Sequence, residues 1–299
     1  MFSKKLLFIS AFLFCFANII QAQNDGDDST GTHHNHWKDF KWEMGIFGKD
    51  MQKSPTISFN YGFSKIRLKD FNSGFEDPNL IELKLGYTTQ KTLYTLPNLI
   101  RQNYNYFFIG NISTDLSGAS AQSAGVKNSL WRLGLGFSSG YGYRMGEKGG
   151  IIPYYTYSLD WSRYHSTDSV QNPIDKKRID LYNDSFRFGT SFEGGLRIRI
   201  SSLITVEAGY QKSIIFQRHL FWKWAGSSII EFASQGLVDE FISEIMDTSP
   251  AAVPFINFLL KNGLAYGIYT LRYEKMNWPF SSEPPLTFRQ YKVGITLVF

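Results

Sequence analysis

The strongest constraint on this chain is a period of two that recurs in eight long segments. In "TISFNYGFSKI", Ile57, Phe59, Tyr61 and Phe63 share one face, while Ser58, Asn60, Gly62 and Ser64 share the other. "LIELKLGYTT" sets Ile81, Leu83, Leu85 and Tyr87 against Glu82, Lys84, Gly86 and Thr88. "YNYFFIGNISTD" is less regular, and Tyr106, Phe108 and Ile112 are assigned to its outer face. The segments beginning at Ser129, Ile151, Phe186 and Ile204 alternate in the same way, as does the last one, "YKVGITLVF". A side-chain period of two is the signature of a β-strand with two unlike faces.

Each segment is long enough to cross a bilayer at a tilt, which takes about 9–11 residues. Strands of a soluble sandwich are shorter, near five or six residues, and turn a polar face to water. Here the polar face carries opposite charges and many glycines, which suits the crowded interior of a narrow barrel. The predicted fold is therefore all-β: an antiparallel eight-stranded transmembrane β-barrel, with a helical insertion before the last strand. Ten strands are the alternative, if "LAYGIYTLRYEKM" and "FKWEMGIFG" are also strands. Connections after the fourth and sixth strands are short, and those after the first, third, fifth and seventh are long. Short turns facing the periplasm and long loops facing outward form the outer-membrane pattern. "QKTLYTLPNLIRQN", after the second strand, reads as longer than that pattern asks.

Lys4 and Lys5 precede the apolar run "LLFISAFLFCFANII", and Ala22 offers a small residue for cleavage. This order predicts a secretory signal peptide over residues 1–22 and not a membrane span. Residues 23–55 read as a flexible polar arm, 56–214 as strands one to seven, 215–286 as the helical insertion and 287–299 as the last strand. Cys15 is the only cysteine and lies inside the leader, so disulfides, thiolate metal sites and cysteine nucleophiles are excluded from the mature chain. The formal net charge of +5 comes without a basic run or basic-aromatic array, which argues against nucleic acid as a partner.

The end of the chain resembles the terminal signal of bacterial, Gram-negative outer-membrane proteins: a polar residue, a glycine, an apolar residue and a final aromatic. Lys292, Gly294, Leu297 and Phe299 occupy those places. Over residues 56–214 and 287–299 the pattern is similar to small OmpA/OmpX-type barrels. The resemblance implies an outer-membrane location after leader cleavage, surrounding lipid, and recognition of the last strand by the barrel assembly machinery.

The inward charges are the first candidate site. A three-residue loop at Ser201, Ser202 and Leu203 sets Arg197 opposite Glu207 and Glu193 opposite Gln211. Arg187, Arg132, Asp160, Lys84 and Glu82 add further inward charge. Eight strands leave an interior just filled by side chains, so this network reads as a plug, with a gate or polar conduit as the functional alternative. His33, His34 and His36 form a weak metal-ligand candidate beside Asp25, Asp27 and Asp28, with a solvated tail as the plainer account. "RYHSTD" brings His165, Ser166 and Asp168 into one loop, but neighbours in sequence do not guarantee a base within reach of a nucleophile. No cofactor is expected.

In the insertion, Ile229, Ile230, Ala233, Leu237, Val238, Phe241, Ile242 and Ile245 recur at helical spacing, with Glu231, Asp239, Glu240 and Glu244 elsewhere. The apolar segment after it is broken by Pro250, Pro254, Asn257 and Gly263. Residues 226–271 are predicted to be helical and to leave the barrel wall. Ile230, Leu237, Phe241 and Ile245 are the candidate docking face for another envelope protein, because large apolar surfaces are rarely left bare. The function expected is that of a non-enzymatic scaffold or accessory subunit of an envelope complex. A narrow, porin-like conduit or a binder for small or lipid-like molecules is the alternative, and a lipid-modifying enzyme ranks below both.

Overall fold

The computed structural model describes residues 53–93, 96–117, 125–166 and 170–299. Eight strands run in chain order: β1 (Lys53–Leu68), β2 (Asn79–Leu93), β3 (Leu96–Ser113), β4 (Asn128–Met145), β5 (Gly149–Ser166), β6 (Phe186–Arg199), β7 (Ile204–Ile215) and β8 (Leu286–Val298). Each pairs antiparallel with its neighbours, and β8 returns to β1 to close the barrel. Closure satisfies both edges of every strand, which a bilayer demands because it offers no water to an open edge.

Leu93 pairs with Leu96, so only two residues separate the long strands β2 and β3. The sequence "QKTLYTLPNLIRQN" looked like a loop because Gln90, Lys91, Arg101 and Gln102 blur the alternation there. All three short connections, after β2, β4 and β6, lie at the end where β1 starts and β8 stops. This is the turn end. The opposite loop end carries the long connections, including α1 (Pro173–Asp180), whose first turn is capped by Asn172 accepting from Ile174 N at 2.9 Å. Asp175 of α1 accepts from Asn72 N (3.0 Å), Ser73 N (2.8 Å) and Ser73 Oγ (2.7 Å), fastening the β1–β2 loop over the barrel. Burial alone would raise the pKa of this carboxyl, but those three donors hold it below its usual value.

Two helices separate β7 from β8: α2 (Phe221–Thr248) and α3 (Val253–Glu274), joined by a 3₁₀ turn at Pro250–Ala252. The segment "LAYGIYTLRYE" is therefore helical, and the barrel has eight strands. "FKWEMGIFG" lies outside the described residues. No helix among the described residues is long and apolar enough to cross a membrane by itself.

The hairpin of α2 and α3 does not leave the wall. It lies along the outside of β4–β7, with Phe232 against Tyr157, Tyr269 against Phe192 and Trp224 against Phe188 at ring-centroid distances of 5.5, 5.9 and 5.2 Å. Such pairs add roughly 0.5–1.5 kcal/mol each beyond their area. Its tip reaches the turn end, where the Tyr143 hydroxyl donates to Ala251 O. Gly194 of β6 permits the approach of α3, because a Cβ there would stand 2.3 Å from Asn262 Oδ1. The outer face of the wall is aromatic at those positions, and close packing of its rings against those of the hairpin favours the contact where lipid supplies no hydrophobic drive.

Candidate functional site

The barrel interior is filled in layers. At the loop end, Ile66, Leu80, Ile112, Leu130, Tyr164, Leu286 and Phe288 form an apolar cluster with Val170, Ile179 and Tyr182 from the connection carrying α1. Below it lies the charged layer. Four cations, Lys84, Arg132, Arg197 and Lys292, meet four carboxylates, Glu82, Asp160, Glu193 and Glu207. Lys84 Nζ lies 3.2 Å from Glu207 Oε1, and Arg197 Nε lies 3.2 Å from the other oxygen of the same carboxylate. Lys292 Nζ bridges Glu193 (2.5 Å) and Glu82 (3.0 Å). Arg132 Nη2 meets Asp160 Oδ2 at 2.6 Å and has Gln290 Oε1 at 3.1 Å from its Nη1.

Lys84 and Arg132 are each 1 % exposed. Ions so buried are tolerable only when paired, since desolvating a single charge costs several kcal/mol. Equal numbers of each sign, with charges from β2, β4, β5, β6, β7 and β8, meet that condition. Register brings this about: Arg197 stands opposite Glu207, and Glu193 opposite Gln211. Arg187 stands apart, donating from Nη2 to Leu181 O at 2.6 Å toward the loop end.

The interior also holds side chains that the sequence placed outside. Tyr106, Phe108 and Ile112 are buried in the lumen, with Tyr104 beside Tyr106, and Phe107 and Ile109 of β3 face outward instead. Both faces of this strand carry apolar or aromatic residues, so alternation could not tell them apart. Pairing decides it, because Gly110 is opposite the inward Glu82. These rings are part of the charged layer. Lys84 lies over Tyr106 (5.1 Å), Arg132 over Phe108 (5.1 Å) and Arg197 over Tyr154 (4.0 Å). The Tyr154 hydroxyl donates to Glu193 Oε1 at 2.5 Å. Space comes from glycine: a Cβ on Gly136 would fall 2.2 Å from the Tyr106 ring. The glycines facing inward on β4 were the one available sequence signal that large rings lie opposite.

The terminal residues divide between interior and surface. Lys292 belongs to the charged layer, and Gly294 makes room for Asn60, whose Oδ1 would lie 1.9 Å from an added Cβ. Leu297 pairs with Ile57 and Ile204, and the Phe299 backbone donates to Pro55 O at 2.9 Å.

Outside, the sign reverses. Phe59, Phe63, Ile81, Tyr87, Phe107, Trp131, Leu135, Tyr291 and Val293 are exposed. The hairpin follows the same inverted rule. Glu231 and Arg272 pair at 2.7 Å between α2 and α3, with Ser227 Oγ accepting from Arg272, and Lys261 pairs with Asp239 and donates to Gln235 O at 3.1 Å. Ile229, Leu237, Phe255, Leu259 and Tyr266 are exposed. Of the predicted docking residues, Ile230, Leu237 and Phe241 are exposed and Ile245 is half-buried. Lys212 of β7 also faces outward and is covered by α3, its Nζ 3.6 Å from the Tyr266 ring centroid and 4.6 Å from that of Tyr269.

His165 Nδ1 lies 3.0 Å from Asp184 Oδ1 at the loop end. His165 and Ser166 are consecutive in β5 and so point to opposite faces, which separates the base from the hydroxyl. Asp168 and His33, His34 and His36 lie outside the described residues. Among the described residues no group of His, Cys, Asp and Glu could hold a metal.

A closed, edge-free sheet with a charge-paired interior and an apolar exterior defines a transmembrane barrel of the outer-membrane type. Solved structures of small outer-membrane barrels match it. Neisserial surface protein A matches at 11 % identity, covering 83 % of this chain and 99 % of its own, with a TM-score of 0.39. Ail, the attachment invasion locus protein of Yersinia pestis, matches at 8 % identity over 83 % of this chain and 100 % of its own, with a TM-score of 0.34. No protein-family model matches the sequence, and no curated protein matches it.

Proposed function

We propose that this chain is a non-enzymatic outer-membrane scaffold whose helical hairpin receives another envelope protein in the plane of the membrane. The supporting observation is the contrast between a blocked lumen and an open ridge on α3. Gly263 and Gly267 lie one turn apart on the outer side of α3, beside exposed Leu259 and Tyr266, and nothing stands within 4 Å of a Cβ built at either. Small residues spaced by four let a second backbone approach closely where lipid gives no hydrophobic drive to association. The remaining apolar surface contacts outer-membrane lipid, and the last strand is the part offered to the assembly machinery.

A photo-crosslinking residue at position 259, with one at the buried position 242 as control, tests this in native membranes. Position 259 should give a discrete heavier adduct, and filling the ridge with Gly263→Leu and Gly267→Leu should remove it while folded-barrel gel mobility is kept. Equal labelling from both positions, or an adduct indifferent to the filled ridge, would sink the proposal. In planar bilayers the purified protein should show no stable conductance steps; regular steps would favour the conduit instead.

A further inference from the structure

We infer that the turn end of the lumen is a binding site for a small oxyanion of the phosphate class. The charged layer is balanced, but two more inward arginines sit beyond it, toward the turns. Arg144 of β4, Gly150 of β5 and Arg199 of β6 occupy one row of the ladder. Gly150 puts no side chain between its neighbours, and Arg199 Nη2 lies 3.6 Å from where its Cβ would stand. Two guanidiniums thus share a mouth with only a glycine between them.

Their acceptors are neutral. Arg144 Nη2 donates to Thr92 Oγ1 (2.7 Å), and Arg199 donates to Gln90 Oε1 (2.5 Å) and to Gly149 O (3.2 Å). The Nε atom of each arginine is buried without a partner. Glu147, in the adjoining turn, forms no ion pair with either among the described residues. Both arginines are half-buried, so the mouth is confined and yet open to solvent at the turn end.

Two permanent cations without an acid are costly in such a place, and a doubly charged oxyanion relieves both at once. Guanidinium suits it, with planar forks matched to phosphate or carboxylate oxygens. Short turns of outer-membrane barrels face the periplasm, so the ligand would arrive from that side. The site lies inside the lumen, whereas the α3 ridge lies outside the wall, and it does not depend on that ridge.

The test is titration of the purified full-length protein with inorganic phosphate at constant ionic strength, read by calorimetry and by thermal unfolding. Phosphate should bind saturably and raise the unfolding temperature, while chloride should do neither. Arg144→Gln and Arg199→Gln should each weaken binding at least tenfold, and the pair should abolish it. Gln90→Glu supplies an internal carboxylate of nearly the same shape beside Arg199. It should weaken phosphate binding while leaving the barrel folded, which guards against a double variant that fails to fold. A parallel arm uses nanodiscs with and without phosphatidylglycerol. Binding confined to that lipid, and lost in the arginine variants, would assign the phosphate to a headgroup. No saturable binding in either arm, or binding unchanged in folded Gln90→Glu and arginine variants, overturns the inference.

Discussion

Asp160→Ala should be among the most damaging single changes in the charged layer. The substitution removes the carboxylate 2.6 Å from Arg132 Nη2 and leaves a guanidinium that is 1 % exposed. The remaining acceptors are Gln290 Oε1 at 3.1 Å and Ser191 Oγ at 3.4 Å, both neutral. Arginine cannot shed its proton to escape. Breaking a buried pair in this way costs about 3–5 kcal/mol. Glu207→Ala should cost less, although it too removes a buried carboxylate. Arg197 would keep Ser138 Oγ at 2.8 Å and the Tyr154 ring at 4.0 Å, and Lys84 would keep Glu82 and Glu193. Arg132 in Asp160→Ala would keep the Phe108 ring, but at 5.1 Å rather than 4.0 Å, so the difference should be on the order of 1 kcal/mol. Adding Arg132→Ala to Asp160→Ala removes the orphaned charge, so the double variant should fall short of additivity by about 2–3 kcal/mol. Urea unfolding of the refolded barrel in lipid vesicles, followed by tryptophan fluorescence and by gel mobility, measures all four corners of the cycle. A coupling below about 0.5 kcal/mol would refute the ion pair as a determinant of the barrel interior.

Other substitutions probe the remaining layers. Gly136→Val should prevent folding, measured by loss of heat-modifiable mobility, because its Cβ would fall on the Tyr106 ring, whereas Gly263→Ala should leave stability equal or raise it by about 0.5–1 kcal/mol, its Cβ meeting nothing and its helix losing a glycine. Leu135→Arg should cost about 2–4 kcal/mol in lipid and Ile198→Arg about 0–1 kcal/mol, since the two are 44 % and 45 % exposed but Ile198 lies near the turn end; equal penalties in the same unfolding assay would place the membrane elsewhere. Because the Asp175 carboxyl is held below its ordinary value, its contribution is complete above the usual carboxylate range and fades as pH falls through that depressed value. The amides of Asn72 and Ser73 should therefore exchange faster in Asp175→Asn at neutral pH, whereas in the native protein the protection that Asp175 gives them should be lost only in strong acid.

A period of two, repeated eight times, was enough to specify a barrel, its antiparallel order and most of its faces, while the choice of eight strands over ten came with the helical state of "LAYGIYTLRYE". Alternation is a local property, set by the geometry of extended backbone, and so it is written residue by residue. The loop at Ser201–Leu203 also let the opposition of Arg197 and Glu207 be read, since a hairpin's register follows from its loop length. What alternation cannot supply is an absolute direction. In β3 either face could line an apolar wall, and only its pairing with β2 turned Tyr104, Tyr106 and Phe108 inward. Closure had a similar effect on Lys292: nothing along the chain ties it to Glu82 or Glu193, which belong to strands far away in sequence. The hairpin shows the same limit from outside. Its helical period was legible, but the burial of Glu231 and Arg272 and the exposure of Leu237 and Leu259 depend on where α2 and α3 lie. A helix sequence states which residues share a side; the surface it meets, here the aromatic wall of β5 and β6, decides which side is buried.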